Sequence, residues 1–172
     1  MARRAVVTGA PGSGKSTLLA EVSRRGIRTG PEVARAILQS PGGMEMRAQR
    51  PRDFALAMLE AQLASWKGEL DDAPVLYDRG LPDIVGFLRL EGLPIPPMVD
   101  KACRECRYEG PVFHAPPWRK IYRQDAEPIQ TWEEAVESDA AVIGAWRAYG
   151  YSPIELPLVD PAARAAFVIA RL

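Results

Sequence analysis

Residues Gly9-Ala10-Pro11-Gly12-Ser13-Gly14-Lys15-Ser16 fit the pattern GxxxxGK[ST] in full, and Thr17 follows directly. The flanks make the pattern constraining. An apolar run, Arg4 to Thr8, leads into it and a helical pattern, Lys15 to Arg25, leads out. This is the strand, loop and helix setting in which such a loop cradles phosphate. Glycines let successive backbone N–H groups turn inward on a polyphosphate. The helix start adds partial positive charge. Lys15 can reach the β- and γ-phosphates as a point charge, and Ser16 offers a hydroxyl to Mg²⁺. Only four of the 22 basic residues are lysine, so composition alone does not account for one here. ATP and Mg²⁺ are the ligands this loop predicts.

The remaining chain predicts one domain, residues 1–172, which is long enough for a sizeable core. Apolar strands are expected at Arg4 to Thr8, Gly26 to Thr29, Val75 to Asp78, Val112 to His114 and Pro153 to Leu156. Helical patterns follow at Lys15 to Arg25, Pro31 to Leu38, Pro51 to Leu70, Pro82 to Leu90, Pro97 to Arg107, Trp132 to Tyr149 and Pro161 to Leu172. Strands alternating with helices imply a parallel sheet covered on both faces. Thr131-Trp132-Glu133-Glu134 is a capping box, and Asp160-Pro161 is an N-cap with proline at the first helical position. The apolar positions Trp132, Val136, Ile143 and Trp146 share helical spacing.

Several function classes are disfavoured. Net charge is zero, so no global field attracts nucleic acid or an anionic membrane. No apolar run approaches the roughly 20 residues of a membrane span, and the expected location is cytoplasmic. Cys103 and Cys106 form CxxC, but His114 is the only histidine to complete a zinc site, and both cysteines fall in a charged helical stretch.

Four further places are candidates for chemistry. Asp78 ends an apolar strand, at the edge where ligands of such sheets bind, and can hold a metal-bound water or orient an acceptor hydroxyl. It also suits the turn Asp78-Arg79-Gly80. Glu32 and Arg35 follow the second strand. Glu32 can accept the proton of an acceptor hydroxyl, although a first helical turn favours an acid in any case. Trp118-Arg119-Lys120-Ile121-Tyr122-Arg123-Gln124-Asp125 is the densest basic and aromatic stretch. It predicts a lid over residues 117–131, with Arg123 stabilising the charge of a transferring phosphoryl group and Arg119 contacting the nucleotide. A solvated helix with packed aromatics is the other reading. The loop at Pro157 follows the last strand and either packs beside a base or simply connects.

Together these segments resemble a known group. Pro31-Glu32-Val33-Ala34-Arg35, Asp78-Arg79-Gly80-Leu81-Pro82-Asp83, Tyr122-Arg123-Gln124-Asp125, Trp132-Glu133-Glu134-Ala135 and Tyr149-Gly150-Tyr151 are similar to the small AAA-type P-loop ATPase/kinase-like family. That family is related to the nicotinamide-riboside kinase domain of bifunctional NAD-pathway regulators. The resemblance runs from Val6 to Phe167. It implies a nucleoside/nucleotide-kinase-like P-loop NTPase: three α/β/α layers with a five-stranded parallel sheet. The family's lid usually continues with arginines after the aspartate, whereas here Asp125-Ala126-Glu127-Pro128 leaves Arg123 and Arg119 to carry the lid charge. The Asp78-Arg79 pair is also similar to deoxynucleoside kinases, where a glutamate after strand two is the general base.

The implied activity is an ATP-dependent small-molecule kinase, with a nucleoside-like or other hydroxylated acceptor. Lys15, Glu32, Asp78 and Arg123 are its catalytic candidates. Ser16 and Asp78 would hold Mg²⁺, and Arg35 and Arg79 would meet an anionic acceptor or the phosphates. The alternative is an ATPase or nucleotide-hydrolysing switch working through protein partners. A Ras-like switch reads guanine through an asparagine-containing motif, and this chain has no asparagine. A full AAA+ motor needs a second helical domain, for which 172 residues leave little room.

Overall fold

The computed structural model describes residues 3–68, 72–122 and 130–172. Strands β1 (Arg4–Gly9), β2 (Arg28–Thr29), β3 (Val75–Asp78), β4 (Val112–Ala115) and β5 (Ile154–Glu155) form one sheet in the order β2-β3-β1-β4-β5. Every pairing is parallel. Helices are α1 (Lys15–Arg24), α2 (Val33–Gln39), α3 (Gly43–Gln49), α4 (Pro51–Trp66), α5 (Leu81–Leu90), α6 (Pro97–Glu105), α7 (Trp132–Ala148) and α8 (Pro161–Ile169).

Alternation along the strands divides the core into two layers. Ala5, Val7, Leu76, Phe113 and Ala115 pack with Leu18 and Val22 of α1 and Ala165 and Val168 of α8. Val6, Val75, Tyr77 and Val112 pack with Phe54 and Met58 of α4, Val85 of α5, Val99 of α6 and Trp146 of α7. The result is the expected three-layer α/β/α arrangement. A near-continuous apolar strand is what two covered faces demand. Register then sets the functional edge: Val7 lies beside Asp78, and Gly9 beside Ala115. The phosphate loop therefore leaves β1 next to the carboxyl end of β3.

The caps behave as the sequence predicts. Thr131 Oγ1 accepts from the Glu134 amide at 3.1 Å, and Glu134 Oε2 accepts from the Thr131 amide at 2.7 Å. Asp160 Oδ1 accepts from the Ala163 amide at 3.0 Å. Three expectations need correction. Helix α3 was not foreseen, because Pro41-Gly42-Gly43 reads as a break. Helix α4 ends at Trp66, short of Leu70, which lies outside the described residues. Val136 is exposed, and Asp139 takes a buried position on α7 instead. Cys103 is buried, with its thiol pushed up to about 12 by desolvation, so it is an inert packing residue. Among the described residues no helix is long and apolar enough to cross a membrane.

Candidate functional site

The phosphate loop is shaped by its glycines. Gly9, Gly12 and Gly14 have φ of +138°, +72° and +84°, conformations that L side chains rarely adopt. A Cβ on Gly9 would also run into the Ala115 carbonyl of β4. Ser13 Oγ donates to the Ala10 carbonyl at 2.7 Å, closing the loop on itself. Lys15 is only 6% exposed. Its Nζ donates to the carbonyls of Gly9 at 3.1 Å and Ala10 at 2.7 Å. Burial and the nearby Arg79 guanidinium push its pKa down to about 7. Among the described residues no carboxylate lies at hydrogen-bonding distance from it, and an ammonium buried in this way is primed for an anion.

Beside it lies an acid and arginine cluster from β3, α2 and α5. Asp78 is 5% exposed, and desolvation, reinforced by Glu32, pushes its carboxyl up to about 6. Arg79 has φ of +67° without being glycine, a left-handed backbone that costs of order 1–2 kcal/mol. It is held there by its N–H to the Val7 carbonyl at 2.9 Å and its carbonyl to Gln62 Nε2 at 3.3 Å. Its Nη1 donates to Gly9 O at 2.9 Å and to Asp83 Oδ1 at 3.1 Å, while Nε lies 3.6 Å from Glu32. Burial opposes the charge on Arg79, but Asp83, Glu32 and Asp78 outweigh it and hold its pKa above the usual value. Arg35 pairs with Glu32 at 3.1 Å.

Two carboxylates, Asp83 and Asp139, have supporting roles that the sequence does not assign. Asp83 accepts from Thr8 Oγ1 at 2.6 Å, from the Gly80 amide at 3.0 Å and from Trp146 Nε1 at 2.9 Å, as well as from Arg79. It fixes the start of α5 and the guanidinium together. Asp139 of α7 accepts from the Ala10 amide at 3.1 Å and lies 2.9 Å from His114 Nε2 of β4. It ties the phosphate loop to two neighbouring elements. Asp139 falls on the helical stripe with Val142 and Trp146, and a carboxylate on that stripe was the available signal.

Two cavities meet here. A cavity of about 730 Å³ is lined by Pro11, Gly12, Gly14, Lys15, Ser16 and Thr17 together with Glu32, Arg35 and Arg79. A second, about 140 Å³, has Phe54, Met58 and Phe87 as an apolar wall and shares Pro11, Glu32, Arg35 and Arg79 with the first. Gly9, Ala10 and Ser13 are buried in the loop's frame. Arg119 is elsewhere: its guanidinium lies 5.1 Å over Trp132, in a cleft with Tyr122 and Thr131. Pro157 also stays outside the cavity wall, and its carbonyl accepts from Arg164 Nε at 2.8 Å. Arg123 and residues 124–129 of the expected lid lie outside the described residues.

The residues present fit Mg²⁺. Among the described residues Asp78 Oδ1 is buried without a hydrogen-bond partner, and Asp78 and Ser16 line one small cleft with Glu32. Among the described residues no group of three or more His, Cys, Asp or Glu could hold a metal by itself. That suits an ion held by one or two protein oxygens plus phosphate.

Comparison with known proteins bears on the fold and the family. None of the curated proteins compared matches the chain. Deoxyadenosine kinase from M. mycoides with the products dCMP and a flexible dCDP superposes with a TM-score of 0.71 at 15% identity, covering 97% of this chain and 96% of its own. The same kinase with dATP gives 0.69 at 14% identity, covering 97% of each chain. NadR in complex with NR gives 0.74 at 14% identity, over 98% of this chain and 50% of NadR. At such identities the likeness is one of fold. A family profile described as an AAA domain matches residues 4–164, nearly the whole length, and the chain belongs to that family of P-loop proteins.

Proposed function

We propose that the protein transfers the γ-phosphoryl group of ATP, bound with Mg²⁺, to a hydroxyl of an uncharged, nucleoside-like acceptor. The observation that carries this reading is the junction of the two cavities at Glu32 and Arg79. A hydrolase needs no second, apolar-walled cavity at that junction. The folds superposed above include a deoxyadenosine kinase and NadR bound to NR, which supports a nucleoside-like acceptor.

The amides of residues 12–17 would cradle the phosphates, and Lys15 would turn from the Gly9 and Ala10 carbonyls to the β- and γ-oxygens. Ser16 and Asp78 would hold the metal, which when bound neutralises charge on the β- and γ-oxygens. Glu32 would take the proton of the acceptor hydroxyl as its oxygen bonds to phosphorus and the bond to the β-phosphate oxygen breaks, leaving ADP. Arg79, clamped by Gly9 and Asp83, would stabilise charge on the transferring group. Closure of residues 117–131, with Arg123 contributing charge, would exclude water.

The acceptor's charge is argued from pairing. The arginines on the smaller cavity each face a carboxylate: Arg35 with Glu32 at 3.1 Å, Arg47 with Glu91 at 3.8 Å and Arg79 with Asp83 at 3.1 Å. Among the described residues that wall offers no surplus positive charge. The test is ATP turnover against a panel of nucleosides, nucleoside monophosphates, sugars and amino acids, with products identified by mass spectrometry. A phosphorylated nucleoside is the expected result. Equal, slow turnover with every acceptor would favour the hydrolase.

A further inference from the structure

The larger cavity has a second end, whose walls do not line the acceptor cavity. Trp118, Ile121, Val159, Pro161 and Arg164 line that end. Arg164 sits on the buried face of α8 with Ala165 and Val168 and is 2% exposed. Its Nε donates to the Pro157 carbonyl and its Nη1 to the Ser13 carbonyl, each at 2.8 Å. Its guanidinium carbon lies 5.0 Å from the centroid of the Trp118 ring. Among the described residues no carboxylate lies within ion-pair distance of it, and its Nη2 is buried without a hydrogen-bond partner.

A buried guanidinium without a counter-charge is costly. Two features reduce the cost. The indole face supplies negative quadrupole density to the guanidinium, and a polyphosphate in the adjoining loop would supply the missing negative charge. The same arginine connects three parts: the phosphate loop at Ser13, the β5–α8 connection at Pro157 and the indole of Trp118. Trp118 is only half-buried and lines the cavity. An aromatic face backed by a fixed cation, next to a phosphate-binding loop, is a stacking surface for a nucleobase.

We propose that Trp118 is the platform on which the purine base of the donor nucleotide stacks, with Arg164 the positioning residue that fixes this platform relative to the phosphate loop. The inference rests on the reading of residues 9–17 as a nucleotide site. Stacking reads aromatic area rather than base edges, so the two-ring purines are favoured over pyrimidines and adenine is separated little from guanine. Base recognition thus falls to Trp118, in place of the expected Pro157 and Arg119.

The experiment compares binding of a non-hydrolysable ATP analogue and of tripolyphosphate, each with Mg²⁺, to the full chain by calorimetry. Trp118→Leu should weaken the ATP analogue roughly 10- to 100-fold and leave tripolyphosphate unchanged. Trp118→Phe, which keeps an aromatic face and guards against misfolding, should restore most of the affinity. In the native protein the ATP analogue should quench tryptophan emission and tripolyphosphate should not; Trp118→Phe should lose that quenching. Arg164→Lys should weaken the analogue more than tripolyphosphate. A parallel fall for both ligands, or no change for either, overturns the inference and makes Trp118 a packing residue. If native protein binds tripolyphosphate and the ATP analogue equally, the platform fails and the phosphate loop stands. If it binds neither, both readings fall.

Discussion

Lys15 Nζ lies 2.7 Å from the carbonyl oxygen of Ala10, folded back onto its own loop. Carbonyl dipoles compensate a buried ammonium only in part, which is why its pKa is pushed down to about 7. Phosphate oxygens would restore the charge. Binding of MgATP at pH 8 should therefore take up close to one proton on Lys15. Asp78 behaves oppositely: it is pushed up to about 6 and would release its proton to metal binding, but at pH 8 it is already ionised. At pH 5.5 Lys15 is already charged and Asp78 is mostly protonated, so net release is expected. Calorimetry in buffers of different ionisation enthalpy, corrected for the nucleotide's own titration, reads the sign at each pH. Lys15→Ala should abolish phosphoryl transfer and remove the uptake at pH 8. Uptake that persists in that variant assigns it to another group.

Asp78 gives a stability prediction with a defined sign. Its folded-state pKa, about 6, lies above the usual 3.8. The folded protein therefore holds that proton more tightly between these values. The stability this contributes is present below the lower value and is lost as pH rises through the folded-state value. Above that the carboxylate opposes folding by of order 1–3 kcal/mol. Asp78→Asn should accordingly melt a few degrees higher than the native protein at pH 8, with the difference shrinking toward pH 4. The same variant should lose Mg²⁺-dependent turnover. An unchanged Tm together with unchanged metal dependence would reduce Asp78 to a turn residue.

The contrast between Asp78 and Asp83 shows how much of this site can be read along the chain. Asp78, Arg79 and the loop from Gly9 to Thr17 are legible because strand, turn and glycine spacing are local. Asp83 is in the same stretch, yet its role depends on Thr8, 75 positions away, and on Trp146, 63 positions away. Arg119 and Pro157 were expected at the nucleotide because chain order places them near the ligand edge; chain order does not say which way a side chain turns. Arg164 had a faint signal, a charge on the apolar stripe shared with Ala165 and Val168. Only the pairing of α8 with the phosphate loop turns that signal into a role.

Asp139 tests whether the loop's frame matters as much as its lining. Replacing it with alanine leaves the buried Ala10 amide and His114 without their shared acceptor. An orphaned buried donor costs about 1–3 kcal/mol. Asp139→Ala should lower Tm by several degrees and weaken MgATP binding, although it touches no ligand. Unaltered nucleotide affinity at lowered Tm would confine Asp139 to stability.

Gly86 sits in the interior of α5, where alanine would ordinarily add up to about 1 kcal/mol of helix stability. A Cβ there would meet Val142 Cα of α7 at 2.8 Å, backbone that cannot yield cheaply. Gly86→Ala should therefore destabilise the fold by forcing α5 and α7 apart. Because α7 carries Asp139, nucleotide affinity should fall as well. A rise in the thermal midpoint would show that the two helices separate without penalty.

Glu32 is the group on which the choice between transfer and hydrolysis turns. It lines both cavities, pairs with Arg35 at 3.1 Å and lies 3.6 Å from Arg79 Nε. Glu32→Gln keeps size and hydrogen-bonding capacity but cannot accept the hydroxyl proton. Turnover with a nucleoside acceptor should fall by about 10²- to 10⁴-fold, while KM for ATP stays within a few-fold because the phosphate loop is untouched. If Glu32 only balances Arg79, the loss should instead appear in acceptor KM, with kcat little changed. A loss in kcat alone, in a variant that still melts normally, assigns the proton to Glu32.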